Sequence, residues 1–335
     1  MTETATQHTA KVLAVIPCLN EAYYLASLVD HLVQDAAATA LPLTIAIVDG
    51  GSTDGTVGIA QALCARYPSV TLLHNKARIQ SAAVNLAVAS TDADFIIRVD
   101  AHAGYPDGFC AALIAEQKKI NADSVVVSME TIGNPGFQAA VAAAQNSKLG
   151  NGGSAHRNSA GEGCWVDHGH HALMRVSAFR AVGGYDETFS HNEDAELDLR
   201  LRKAGFKIWL CGGTSILYYP RSSPLPLFRQ YFNFGKGRAR TTLKHRARPR
   251  LRQLAPTAVA PAAALALLTP FTALAAFPLL AWAFICIAYG LKIGLRADDR
   301  SLFAAGPAIM LMHSGWSFGF WCGVAGEVLK RKGSQ

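Results

Sequence analysis

Four polar clusters in this 335-residue chain carry side chains able to do chemistry. Asp100 and His102 follow the apolar run Phe95–Val99. Two residues apart at the end of a strand, a carboxylate and an imidazole could both reach one cation; the milder alternative is a turn-capping Asp100 beside an exposed His102. Asp49 and Asp54 bracket Gly50-Gly51-Ser52-Thr53, a turn in which glycine tolerates positive φ and polar side chains cap a following helix. Asn20 and Glu21 form a third cluster. Glu193 and Asp194 open a helix anchored by Leu197, Leu201 and Ala204, with Asp194 expected to face away from the core. By itself that pair reads as favourable charge at a helix N-terminus. His168, His170 and His171 invite a metal site, but alternation along a strand splits them between two faces.

These clusters need a scaffold of strands and helices. Lys11–Pro17 predicts a strand, after which Asn20 and Glu21 open a helix with Leu25, Leu28, Val29, Leu32 and Val33 on one face. Leu43–Val48 predicts a second strand, followed by a helix to about Arg66 and a strand near Val70–Leu73. A helix over Ser81–Ala89 leads into the Phe95–Val99 strand; Phe109–Ile120 (helix) and Ser124–Met129 (strand) follow. Strands alternating with helices argue for an α/β fold, a parallel sheet covered on both faces. Successive strands then end beside Asn20/Glu21, Asp49/Asp54 and Asp100/His102, so the three clusters share one rim, where ligands of open α/β sheets bind. Lys148–Gly163, rich in Gly, Asn and Ser, predicts a mobile loop.

Half the residues are apolar and 16% are charged, low for an entirely soluble protein. The net charge of +7 is local. Arg221, Arg229, Lys236, Arg238, Arg240, Lys244, Arg246, Arg248, Arg250 and Arg252 fall in one stretch without an acid; elsewhere the 24 acids outnumber the bases. Leu225, Leu227, Phe228, Tyr231, Phe232 and Phe234 interleave with these cations, which predicts an amphipathic segment on anionic lipid rather than a nucleic-acid surface. From Leu254 through Leu291 no residue carries a charge. One helix of that length would run roughly 57 Å, against a hydrocarbon core of about 30 Å, so two short spans broken near Pro270 are expected, with residues 302–328 as a third candidate. The positive-inside rule puts Arg246–Arg252 and the catalytic part in the cytoplasm. Met1–Lys11 lacks the pattern of a secretory signal. Seven scattered cysteines exclude a disulfide framework or paired zinc spacing.

Val15-Ile16-Pro17-Cys18-Leu19-Asn20-Glu21, Val48-Asp49-Gly50-Gly51-Ser52-Thr53-Asp54-Gly55-Thr56, the Asp100 strand end, and Gly183-Gly184-Tyr185-Asp186-Glu187 followed by Glu193-Asp194 together resemble the family-two inverting glycosyltransferases. The resemblance implies a GT-A fold, a Rossmann-like mixed sheet, over residues 11–220. A basic amphipathic segment at 221–252 and membrane helices at 253–335 would follow, residues 1–10 being a flexible N-terminus. Asn75–Asn85, Arg98–His102 and Arg229–Arg240 look closest to membrane-attached transferases of succinoglycan-type exopolysaccharide assembly.

By resemblance, Asp194 of the Glu193-Asp194 pair is the catalytic base, and Pro17, Asn20, Glu21, Asp49, Gly51, Asp54, Arg78, Gln80 and Asp100 bind the donor. Asp100 is the first acid of the metal motif; His102 stands where a second acid is usual. An imidazole favours Mn²⁺, with Mg²⁺ the alternative cation. The implied reaction moves one hexose, glucose from UDP-glucose, to a polyprenyl-diphosphate-linked saccharide at the cytoplasmic face of a bacterial inner membrane. Other polysaccharide-assembly enzymes are candidate partners, and nucleic acid is not. Gln230-Tyr231-Phe232-Asn233-Phe234 lacks the Arg-Trp of the processive synthases, which argues for single addition. A polyprenyl-phosphate sugar synthase and a non-catalytic membrane scaffold with a degenerate site are the alternatives.

Overall fold

A computed structural model describes residues 10–153, 161–248 and 250–333. Most of the expected flexible N-terminus, residues 1–9, and residues 154–160 of the expected mobile loop lie outside the described residues. In chain order the elements are β1 (Val12–Cys18), α1 (Leu25–Ala38), β2 (Leu43–Asp49), α2 (Thr56–Arg66), β3 (Val70–His74), α3 (Gln80–Ala89), β4 (Phe95–Arg98), α4 (Phe109–Ile120) and β5 (Ser124–Thr131). Then come α5 (Phe137–Gln145), α6 (Lys148–Asn151), β6 (Cys164–Val166), β7 (His170–Arg175), α7 (Val176–Ala181), α8 (Glu193–Lys203) and β8 (Ile208–Tyr218). The C-terminal part holds α9 (Pro224–His245), α10 (Leu251–Leu254), α11 (Val259–Ala266), α12 (Phe277–Ala297) and α13 (Ala305–Gly333).

The chain divides into two compact units, one of residues Met1–Ser128 with Ser159–Ile216, the other of Met129–Asn158 with Leu217–Gln335. The sheet runs β3-β2-β1-β4-β7-β5-β8-β6. β3, β2, β1 and β4 pair in parallel, each linked by a crossover helix as the alternating sequence requires. The parallel part of the sheet ends there, and the whole is the mixed sheet that the resemblance implies. β7 lies antiparallel between β4 and β5, because the chain leaves the strand–helix alternation after β5 and returns to the sheet only at β6. In the first unit Val15, Val48 and Ile96 form a buried core with Val84, Phe179 and Leu197. The helix expected to open at Asn20 begins instead at Leu25. Asn20 is held at φ +59° and the Asp54 carboxylate accepts the Ala22 N–H at 3.1 Å, so residues 20–24 form a turn before the helix.

In the second unit the uncharged stretch breaks near Pro270, and only its later part forms a long helix. After a 3-10 turn at Ala255–Ala258, α11 covers only eight residues. Pro270 has no N–H to offer the Ala266 carbonyl, so the helix cannot continue. Among the described residues one helix, Ala273–Ala297, is long and apolar enough to cross a membrane. α13 is unbroken, since Pro307 falls in its first turn. Val141, Ala144, Leu227, Cys286, Ile309 and Met312 form the core of this unit.

α9 runs alongside α13 in the same direction; of the apolar residues expected to face lipid, Leu227 is fully buried, Phe228, Tyr231, Phe232 and Phe234 are half-buried, and Leu225 is exposed. Gly315, Gly319 and Gly323, four apart, form the ridge that admits α9. A Cβ on Gly319 would strike the Phe232 carbonyl oxygen, and one on Gly315 would lie 2.6 Å from the Phe228 carbonyl oxygen. Gly319→Val should therefore force the helices apart and destabilise this unit by about 3 kcal/mol or more, read as an earlier denaturant midpoint; an unchanged midpoint would mean the close approach does not exist.

Candidate active site

Parallel register brings the predicted clusters to one rim. Cys18 stands opposite Asp49, and Val15 opposite Arg98, so Asp100 rises near the level of Pro17 and Asp49. The loops after β1 and β2 are laced together. The Asn20 N–H donates to Ser52 Oγ at 2.8 Å, the Thr53 N–H donates to Asn20 Oδ1 at 2.8 Å, and the Glu21 N–H donates to Thr56 Oγ1 at 2.9 Å. Asp49 is only 2% exposed; its carboxylate accepts from the Gly51 N–H at 2.8 Å and the Ser52 N–H at 3.2 Å. Gly51 sits at φ +85°, which lets the loop close over that carboxylate. Arg78 donates Nε to the Gly50 carbonyl at 3.1 Å, and Gln80 donates Nε2 to Asp100 Oδ1 at 3.1 Å. All nine residues expected to bind the donor thus lie on or beside this rim.

At the centre is Arg98, which is not among the expected site residues. The Arg98 side chain, 3% exposed, lies 2.6 Å from Asp194 Oδ1 through Nη1 and 3.5 Å from Asp100 Oδ1 through Nε. Its Nη2 is 3.3 Å from the His170 ring, and Tyr185 donates its hydroxyl to Asp194 Oδ1 at 2.8 Å. Asp194 therefore does not face outward, as expected from its helix, but is drawn in by a buried cation that must be neutralised. An arginine inside an otherwise apolar strand was the signal available in the sequence. Tyr185 and His170 had none stronger than their turn and strand positions.

Burial works to raise the pKa of Asp194, but Arg98, then His171 and His170, hold it well below the usual carboxylate range. Its neighbour Glu193 goes the other way, pushed up to about 7 by burial and then by the negative Asp194. Burial and the Arg98 charge bring His170 down to about 4, a neutral imidazole.

His170 and His171, adjacent in β7, separate as strand alternation requires, whereas His168 precedes the strand. His170 stands by Arg98, with Nε2 3.5 Å from Asp100 Oδ2, while His171 turns to the buried Asp198 at 2.9 Å. His168 meets the other Asp198 oxygen at 2.6 Å. His102 Nδ1 lies 3.0 Å from Glu21 Oε1, so the two imidazole-bearing turns do not converge on one cation. Among the described residues no group of three or more His, Cys, Asp or Glu is arranged to hold a metal ion. A hard cation that takes most of its ligands from a diphosphate and water would need only a single carboxylate from the protein.

Asp198 and His171 form a buried pair. Burial opposes both charges, yet the imidazoles keep Asp198 low and Asp198 keeps His171 raised. The carboxylate's contribution is present above its ordinary range and fades as pH falls through the lowered value. That of His171 is present below its ordinary range and fades as pH rises through the raised value. Asp198→Asn should cost about 3–5 kcal/mol, measured by denaturant unfolding at neutral pH; a loss under 1 kcal/mol would show that the pair is not charged.

Comparisons with known proteins agree with this geometry. The chain is 54% identical over 311 residues to the succinoglycan biosynthesis protein ExoA of Rhizobium meliloti (strain 1021), covering 92% of this chain and 93% of that one. Among solved structures it resembles the mannosyltransferase PcManGT from Pyrobaculum calidifontis in complex with GDP-Man and Mn²⁺ (TM-score 0.61, 16% identity, 92% and 88% of the two chains). It also resembles S. aureus TarS 1-349 in complex with UDP (TM-score 0.50, 13% identity, 91% and 90%). The model of glycosyl transferase family 2 matches residues 13–183. The chain belongs to glycosyl transferase family 2, and is a glycosyltransferase with a GT-A fold.

Proposed function

We propose that this glycosyltransferase moves one hexose, glucose from UDP-glucose, with inversion, onto a polyprenyl-diphosphate-linked saccharide in assembly of a succinoglycan-type exopolysaccharide. The observation that carries the chemistry is the Asp194 carboxylate, ionised beside Arg98 on the same rim as Asp49 and Asp100. The pathway rests on the extended identity to the Rhizobium meliloti protein, and the lipid-linked acceptor on the apolar, basic C-terminal part of the chain. The reaction takes place on the cytoplasmic face of a bacterial inner membrane, to which the second unit attaches the enzyme, beside other polysaccharide-assembly enzymes.

In this reading the loops after β1 and β2 grip the uridine, Asp49 marking the base pocket and Pro17, Asn20, Glu21 and Gly51 its walls. Asp54 braces these loops from Ala22 and Thr56. Arg78 and Gln80 approach the diphosphate, and Asp100 would hold a divalent cation there, Mn²⁺ in preference to Mg²⁺; His102 would reach it only by leaving Glu21. When bound, that cation supplies Lewis-acid stabilisation of the departing diphosphate. Asp194 accepts the proton of the acceptor hydroxyl in a single displacement, so an α-linked donor yields a β-linked product. Its low proton affinity suits a late transfer, because the attacking hydroxyl becomes strongly acidic only as its bond to the anomeric carbon forms. Arg98 and Tyr185 fix the carboxylate for that moment. Glu193, more readily protonated, is the second carboxyl of the catalytic pair.

With full-length enzyme, UDP-glucose, Mn²⁺ and lipid extract, Asp194→Asn should cut UDP release by about 10²–10⁴-fold with UDP binding unchanged. Near-normal release would remove Asp194 from the mechanism, and a scaffold would release no UDP with any UDP-sugar. A polyprenyl phosphate acceptor, already ionised, hardly needs a base, so that rival predicts only a mild loss in the variant.

A base must be deprotonated to work, so its rate limb falls as pH drops through its pKa. With Asp194 as base the rate holds well below neutrality; a limb near pH 7, abolished by Glu193→Gln, would transfer the role to Glu193.

A further inference from the structure

α12 is long and apolar enough to cross a bilayer, but its two faces have opposite surroundings. Phe277, Leu280, Phe284, Ile287, Leu291 and Leu295 recur every three or four residues, and each is at least 43% exposed. They form one stripe along the whole helix, roughly 30 Å long at 1.5 Å per residue. The turn leading into α12 adds Leu267, Phe271 and Leu274, each at least 77% exposed. A stripe of this size on a monomer is a docking surface.

The opposite face is packed on protein that could not enter hydrocarbon. Cys286 shares its core with Val141 and Ala144 of α5. Trp282 donates Nε1 to His313 Nδ1 at 3.3 Å, and His313 Nε2 lies 3.1 Å from the Leu149 carbonyl of α6. That α5–α6 segment carries Gln138, Gln145, Asn146, Lys148 and Asn151. If α12 stood upright across a bilayer, the polar groups of α5 and α6, which pack beside Cys286 and the Trp282–His313 pair, would share its depth, and Lys148 would bring a charge into the hydrocarbon at up to roughly 2.5–3.5 kcal/mol. Laying the helix flat leaves them all in water.

Resting on the membrane attachment proposed above, we infer that α12 lies in the plane of the membrane. Its apolar stripe sinks into the cytoplasmic leaflet, and no described residue crosses to the other side. Lys292 and Arg296, each one residue beyond a stripe leucine, flank the stripe where their heads can reach anionic headgroups. An anchor of this kind buries its apolar face about 5–10 Å deep. It would keep the chain in the leaflet from which it takes a lipid-linked acceptor.

Full-length protein with Cys164→Ser and Cys322→Ser, the two exposed thiols, should be given one nitroxide at a time on Phe277→Cys, Phe284→Cys, Leu291→Cys or Leu295→Cys. Each is reconstituted on vesicles of phosphatidylethanolamine and phosphatidylglycerol after circular dichroism matches the parent. Collision with oxygen against a water-soluble nickel chelate then reports depth. The expected result is one shallow depth at all four positions. A profile that deepens to about 15 Å at the middle of the helix, half the hydrocarbon thickness, would overturn the in-plane anchor in favour of a span. Spin–spin broadening without lipid contact would overturn it in favour of a second copy covering the stripe. Exposure to water at all four positions would overturn membrane attachment itself.

Discussion

A guanidinium buried in a strand has to be neutralised where it stands. Arg98 is in the middle of an apolar run, and its side chain is almost wholly removed from water. Two carboxylates meet it, Asp194 from the start of α8 and Asp100 from the end of its own strand. That requirement draws the N-terminus of α8 onto the sheet, orients Tyr185, and sets His170 against the same charge. The two acids for which we propose separate duties, one toward the acceptor and one toward the diphosphate, therefore have a common cation between them. Removing one partner would leave a buried charge uncompensated, which ties the integrity of the site to its electrostatics.

The neighbouring carboxylates show how environment divides similar groups. Glu193 and Asp194 are adjacent, yet one is pushed up to about 7 and the other held far down. Direct contact with Arg98 makes the difference, since both are largely withdrawn from solvent. Farther along α8, Asp198 is kept ionised by His168 and His171. α8 thus turns three carboxylates inward, Asp194 to Arg98, Glu196 to Arg200 and Asp198 to His171.

In the second unit close backbone approach adds to the packing of its apolar core. Three glycines on α13 receive α9, while Gly290 and Gly294 of α12 meet the start of α13 and the turn before it. Packing of this kind suits helices beside lipid, but here it also binds a basic helix to an apolar one, and this makes their surroundings one-sided.

Much of this was legible in the chain itself. Alternating strands and helices, the turn chemistry of residues 49–56 and the acids at strand ends determined the parallel half of the sheet and the rim, because local periodicity and backbone preference act within a few residues. The glycosyltransferase family was readable for the same reason, from motifs whose order and spacing survive without tertiary information. Only the tertiary structure decided the partners. Arg98 and Asp194 are 96 residues apart, and nothing local brings them together. The antiparallel entry of β7, the turning of His102 to Glu21 and the shared burial of His171 with Asp198 are likewise long-range. In the C-terminal part, composition determined that the surface is apolar. Which side of α12 stays bare was decided by what packs against the other side, and residues remote in sequence supply that.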